Sequence, residues 1–72
     1  MRNRITDVAS LGKAIRERRR KLGFTQAYLS EVTGLSVTFI SDLENGKATI
    51  ELGKTILLIN MLGMDVMLEE RG

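Results

Sequence analysis

The 72-residue chain reads as an all-α domain of four main helices with one short strand at its end. Three observations carry that reading. Apolar residues recur at helical spacing from Leu11 to Leu62, and Ser, Thr, Asp and Gly stand where helices of that spacing would start and stop. Only after Gly63 does the period change, with Met64, Val66 and Leu68 alternating against Asp65, Met67 and Glu69.

Asp7 is the N-cap of a first helix running to about Lys21, and Gly23 closes it. Its apolar stripe is Leu11, Ile15 and Leu22, with Ala14 near it. Arg19 falls about 40° from Ile15, so it faces the core and needs a partner. A second helix over 26–33 and a third over 37–45 carry Leu29, Val32, Leu35, Ile40 and Leu43, interrupted at Gly34. Thr25 and Ser36 offer a capping hydroxyl to each, and Gly34 ends the first of the two without a Cβ penalty. Around the third helix, Ile40 and Leu43 share one face, while Thr38, Ser41, Asp42 and Asn45 lie opposite. Phe39, about 40° from Leu43, is a core-edge residue. Glu44 lies about 40° from Ile40 and so meets the same core as Arg19.

The fourth helix spans about 50–62, capped by Thr49. Leu52, Ile56, Ile59 and Leu62 make one stripe, and Leu57, Leu58 and Met61 occupy the other side. A helix apolar nearly all round is buried nearly all round, and a small domain has one core to offer. The second stripe therefore asks for another subunit. Gly53 costs about 1 kcal/mol against alanine inside a helix and permits close approach. The strand over 64–69 has no neighbour within a helical chain, so it is expected to pair with its own copy across a two-fold axis.

Composition bounds the function. The chain is one domain over 1–72, and a chain this short buries only about 60% of its unfolded surface. It has no cysteine and no histidine, which removes disulfide frameworks, zinc fingers and the common pairings of nucleophile and base. No cofactor, no metal and no enzyme activity are expected. No apolar run reaches the roughly 18 residues of a membrane span, and MRNRITDV lacks the apolar segment of a signal peptide, so a cytoplasmic protein is expected. The net charge of +2 is unevenly spread: residues 1–24 carry eight basic side chains against two acidic ones, and the remainder is acidic. The basic end can attract a polyanion. Lys13, Arg16 and Arg20 solvate the outside of the first helix, with one or two of them within reach of phosphate.

The stretch QAYLSEVTGLSVTFISDLEN, residues 26–45, resembles the helix-turn-helix of the repressor family that includes the lambdoid phage repressors and Cro. Gln26 opening one helix, Gly34 at the turn, Ile40 and Leu43 inside, and Glu44-Asn45-Gly46 at the end all fall in register. Ser30 replaces the small alanine usual where the two helices cross. The resemblance implies a lambda-repressor-like domain whose third helix enters the major groove of DNA. It places base contacts at Val37, Thr38, Ser41 and Asp42, with Ser36 at the cap. Val37 and the Thr38 methyl can meet a thymine methyl, Ser41 can donate or accept, and Asp42 can accept from cytosine N4 or repel wrong sites. Thr25 and Gln26 open the second helix, where free N–H groups and the dipole suit a phosphate oxygen, and Asn45 and Lys47 form a second clamp around Gly46. The same resemblance pairs Arg19 with Glu44 as a structural ion pair.

The basic first helix, this motif, one more helix and a terminal strand together resemble the HipB-like antitoxins. That likeness implies a homodimer, with Leu57, Leu58, Met61, Met64, Val66 and Leu68 at its interface. It also implies a palindromic double-stranded operator and a HipA-like kinase toxin as partners. The alternatives are a stand-alone regulator of the phage or restriction-modification kind, or an interaction module of this fold that has lost DNA binding.

Overall fold

A computed structural model describes residues 2–72. It contains four helices: α1 (Val8–Lys21), α2 (Gln26–Thr33), α3 (Val37–Glu44) and α4 (Leu52–Met61). Asp7 starts α1 as expected. Its carboxylate accepts from Ser10 N at 2.8 Å, and Ser10 Oγ accepts in return from Asp7 N at 3.2 Å, which closes a capping box. The Thr25 and Ser36 hydroxyls accept from Tyr28 N and Phe39 N, each at 3.0 Å, and fix where α2 and α3 begin. Gly34 ends α2 at φ +76°. The turn is tied from within, because Ser30, in place of the usual alanine, donates its hydroxyl to the Leu35 carbonyl.

The core joins all four helices: Ile15 from α1, Leu29 and Leu35 from α2 and its turn, Ile40 and Leu43 from α3, and Leu58, Ile59 and Leu62 from α4 and its end. Phe39 packs at its edge, with the Lys54 ammonium 6.0 Å above the ring. At the crossing of α1 and α3 the backbones approach so closely that only glycine fits at position 12. A Cβ there would overlap the Leu43 carbonyl oxygen and lie 2.9 Å from that of Glu44.

Several expectations are corrected. The fourth helix starts at Leu52, not near Ile50, because Glu51 rather than Thr49 is its cap. The Glu51 carboxylate accepts from both Gly53 N (2.8 Å) and Lys54 N (3.0 Å), and its charge suits the helix dipole. The buried face of α4 is Thr55, Leu58, Ile59 and Leu62. Leu58, expected at a subunit interface, is fully buried in the chain's own core, whereas Leu52 (65% exposed) and Ile56, expected inside, face out. The rotation is possible because Thr55 donates its hydroxyl to the Glu51 carbonyl at 2.8 Å and so enters the core with its polar atom satisfied. Val32 is half-exposed, since a helix of two turns needs only Leu29 to hold its inner face. Gly53 meets nothing but its own cap.

The strand expected over 64–69 does not form in the single chain. Beyond Gly63 the residues 64–72 are irregular, and among the described residues there is no strand. The backbone groups of such a strand have no partner within one copy.

Candidate nucleic-acid interface

The third helix is amphipathic in the sense a groove reader needs. Ile40 and Leu43 are fully buried, while Val37 (44% exposed) and Thr38 are exposed at its N-terminal end, beside the Ser36 cap. Ser41 and Asp42 are half-buried one turn on. Two structured ends flank this row. At one, Thr25 and Gln26 stand at the N-terminus of α2; at the other, Asn45, Gly46 and Lys47 form the turn after α3. The turn is held by backbone bonds from Asn45 N, Gly46 N and Lys47 N to Ser41 O, Leu43 O and Asp42 O, at 3.0, 3.0 and 2.9 Å.

The centre of the arrangement is the Glu44 carboxylate, whose side chain is entirely out of solvent. Arg19 reaches it with a fork, Nε to Oε2 at 2.7 Å and Nη2 to Oε1 at 2.8 Å, and turns Nη1 to the Phe24 carbonyl at 2.8 Å. The expected pairing of Arg19 with Glu44 is thus a bidentate, buried ion pair. Burial pushes the Glu44 carboxyl up, but hydrogen bonds from Arg19 and Gln26, the Arg19 charge and a bond from Arg16 outweigh it and hold the group below the ordinary glutamate range. The same contact holds the Arg19 guanidinium in its charged form.

Gln26 and Arg16 also converge on Glu44. Gln26 donates Nε2 to Oε1 at 3.1 Å, and Arg16 donates Nε to the same oxygen at 3.3 Å. Because a carboxylate only accepts, the Gln26 amide is fixed with its NH2 inward, and its second N–H is left for another acceptor. Arg16 bridges onward, with Nη2 3.0 Å from Asn45 Oδ1. Asn45 in turn donates Nδ2 to Ser41 Oγ at 3.4 Å. Sequence reasoning had no signal for Arg16 beyond its charge, because its partners lie at least 28 residues away on other helices.

Asp42 and Lys47 face each other across the turn, with Oδ2 and Nζ 3.4 Å apart and both partly exposed. The candidate base reader and the candidate phosphate clamp are therefore an ion pair in the free chain.

The candidate interface residues of the C-terminal half are scattered. Met64 packs against the core, Val66 and Leu68 are exposed, and Leu57 and Met61 lie half-exposed on one flank of α4. An open cleft of about 1750 Å³ runs between the segment 2–5, α1, α4 and residues 63–71. Leu52 and Ile56 line it; Leu57 and Met61 do not. Arg2 Nη2 and Glu69 Oε2, 2.7 Å apart, link the two ends of the chain across it. Among the described residues no cluster of acidic side chains has metal-binding geometry, and no helix is long and apolar enough to cross a membrane.

Comparison with known proteins agrees with this geometry. The helix-turn-helix family model matches residues 15–66. The chain is 35% identical over 66 residues to the uncharacterized HTH-type transcriptional regulator y4mF of Sinorhizobium fredii, covering 92% of this chain and 87% of that one. It is 33% identical over 58 residues to the ImmF control region 10 kDa protein of Bacillus phage phi105, covering 76% of this chain and 64% of the phage protein. Among solved structures, a HipB variant in complex with an O2 20mer superposes with a TM-score of 0.89 at 24% identity over the full length of both chains. HipB with an O4 20mer superposes at 0.85 and 23% identity, over 96% of this chain and 97% of that one. At that identity the likeness is one of fold.

Proposed function

The chain belongs to the helix-turn-helix family of DNA-binding transcriptional regulators, and we propose that it acts in the cytoplasm as a homodimeric, sequence-specific repressor of the antitoxin kind. The observation that carries this is the composition of α3: two fully buried apolar anchors behind, exposed Val37 and Thr38 in front, and donor groups clustered at both ends. The front row reads base edges, and Gln26, Asn45 and Lys47 grip the flanking phosphates. Two such helices enter successive major grooves, with half-sites about 34 Å apart. Selection of bound duplexes from a random pool tests the reading. Enrichment of a palindrome is expected, and recovery of no sequence above the input would overturn it.

The dimer is supported by surface area. The chain exposes 5354 Å², against about 4450 Å² for a compact monomer of its mass. Leu52, Val66, Met67 and Leu68 are apolar, exposed and line the open cleft. Residues 64–69 pair there with the same segment of a second copy, as a strand that one chain cannot form alone.

The antitoxin role rests on the full-length likeness of fold to HipB, and implies a HipA-like kinase as partner. Co-expression with the neighbouring gene, followed by intact-mass analysis, tests it; two copies of this chain with one kinase-like chain are expected. A bare dimer would favour the second reading, a stand-alone regulator, for which the similarity to a phage control-region protein speaks.

A further inference from the structure

We propose that Arg16 of α1 is a phosphate ligand of the DNA complex, held for that task by Glu44 and Asn45; the proposal rests on the DNA-binding reading above. A guanidinium offers five N–H donors. Arg16 uses Nε toward Glu44 and one Nη2 hydrogen toward Asn45, which leaves three donors on a side chain 37% exposed. The same side chain is tied to Asn45, at the end of α3, and shares its Glu44 oxygen with Gln26, at the start of α2. One singly charged oxyanion set there meets the Arg16 guanidinium flanked by two side-chain amides.

Charge favours the same site. Glu44 bears one negative charge and is contacted by two guanidinium groups, of which Arg19 is consumed internally by its fork and by the Phe24 carbonyl. The cluster keeps one positive charge at the surface, and it belongs to Arg16. Lys47, the other cation beside α3, has Asp42 as counter-charge 3.4 Å away. Lys13 and Arg20 are exposed on α1 with no contact to another helix that would fix them. A phosphodiester approaching α3 therefore finds in Arg16 a pre-oriented cation that shares its one counter-charge, Glu44, with Arg19.

The test is the salt dependence of binding to a labelled duplex of the sequence the wild-type chain enriches. Each phosphate contact contributes about 0.9 to the slope of log K against log salt. Arg16→Gln is expected to lower the slope by about that amount per protomer, and to weaken operator and scrambled duplexes alike, while Arg16→Lys keeps the slope. An unchanged slope for Arg16→Gln, whatever its affinity, would show that the residue only supports Glu44 and would overturn the proposal. A second measurement needs no variant: phenylglyoxal modification of the wild-type chain, read by peptide mass spectrometry, is expected to slow at Arg16 when duplex is bound. Equal rates with and without duplex would overturn the proposal as well. A wild-type chain that binds no duplex would remove the DNA-binding reading itself, an outcome distinct from either.

Discussion

Gly12 of α1 lies directly against the backbone of Leu43 in α3, so close that a Cβ would overlap the Leu43 carbonyl oxygen. The atoms it would meet are main chain and cannot swing aside. In an exposed helix, alanine would improve on glycine by about 1 kcal/mol. Here the overpacking, typically about 1–3 kcal/mol, opposes that gain and is expected to exceed it, because the crossing also carries Glu44. Gly12→Ala should therefore lower the urea midpoint without changing the slope of the transition.

Breaking the Arg19–Glu44 pair is expected to cost about 3 kcal/mol or more in either direction, since each single change strands a buried charge. Arg19→Met and Glu44→Gln, compared by chemical denaturation, check this. A loss below 1 kcal/mol would mean that water reaches the pair.

The same pair sets an acid limit. Glu44 is held below its ordinary range in the folded chain, so the unfolded state binds the proton more readily. The stability from this group is complete above the unfolded value near 4.5 and is lost as pH falls through the lower folded value. Asp7, held low by its bonds to the Ser10 backbone and side chain, acts in the same sense. Thermal melts from neutral pH downward should show the loss in the wild type and a shallower one in Glu44→Gln.

Asp42 lies 3.4 Å from Lys47 and would compete with a phosphate for it. Asp42→Asn is expected to tighten binding to all duplexes, and Lys47→Ala to weaken all alike, whereas Thr38→Ala should change the ranking among sequences. Equilibrium titrations on the enriched duplex and its single-base variants separate these outcomes. A uniform loss in Thr38→Ala would move the reader elsewhere on α3.

Self-association should depend on the cleft. Ile56→Asp and Leu68→Asp are expected to shift the chain to monomer in sedimentation, while Leu57→Asp, on the flank away from the cleft, leaves it dimeric.

Periodicity and caps made α1, α2 and α3 legible almost to the residue, because each is fixed by a short-range device: Asp7, Thr25 and Ser36 act within three positions of themselves. Arg19 and Glu44 were legible for another reason, as charges on apolar faces that had to find each other. The rotation of α4 was not. Thr55 looks polar in sequence and enters the core only because its hydroxyl bonds back to Glu51, while Leu52 and Ile56 look like core and line a cleft. Gly12 stayed silent, and Arg16 showed only as one of three basic residues within reach of phosphate, because their partners lie about thirty residues away, a separation that no local pattern encodes.

Glu44 gives this small protein a single point of failure. One carboxylate with no contact to solvent secures α1 through Arg19, orients Gln26 at the start of α2, and steadies Arg16 of α1 against Asn45 at the end of α3. Loosening α1 would therefore not merely soften the structure; it would disarm the groups that meet the outside. The start of α2 and the end of α3 thus share one fastening with the first helix.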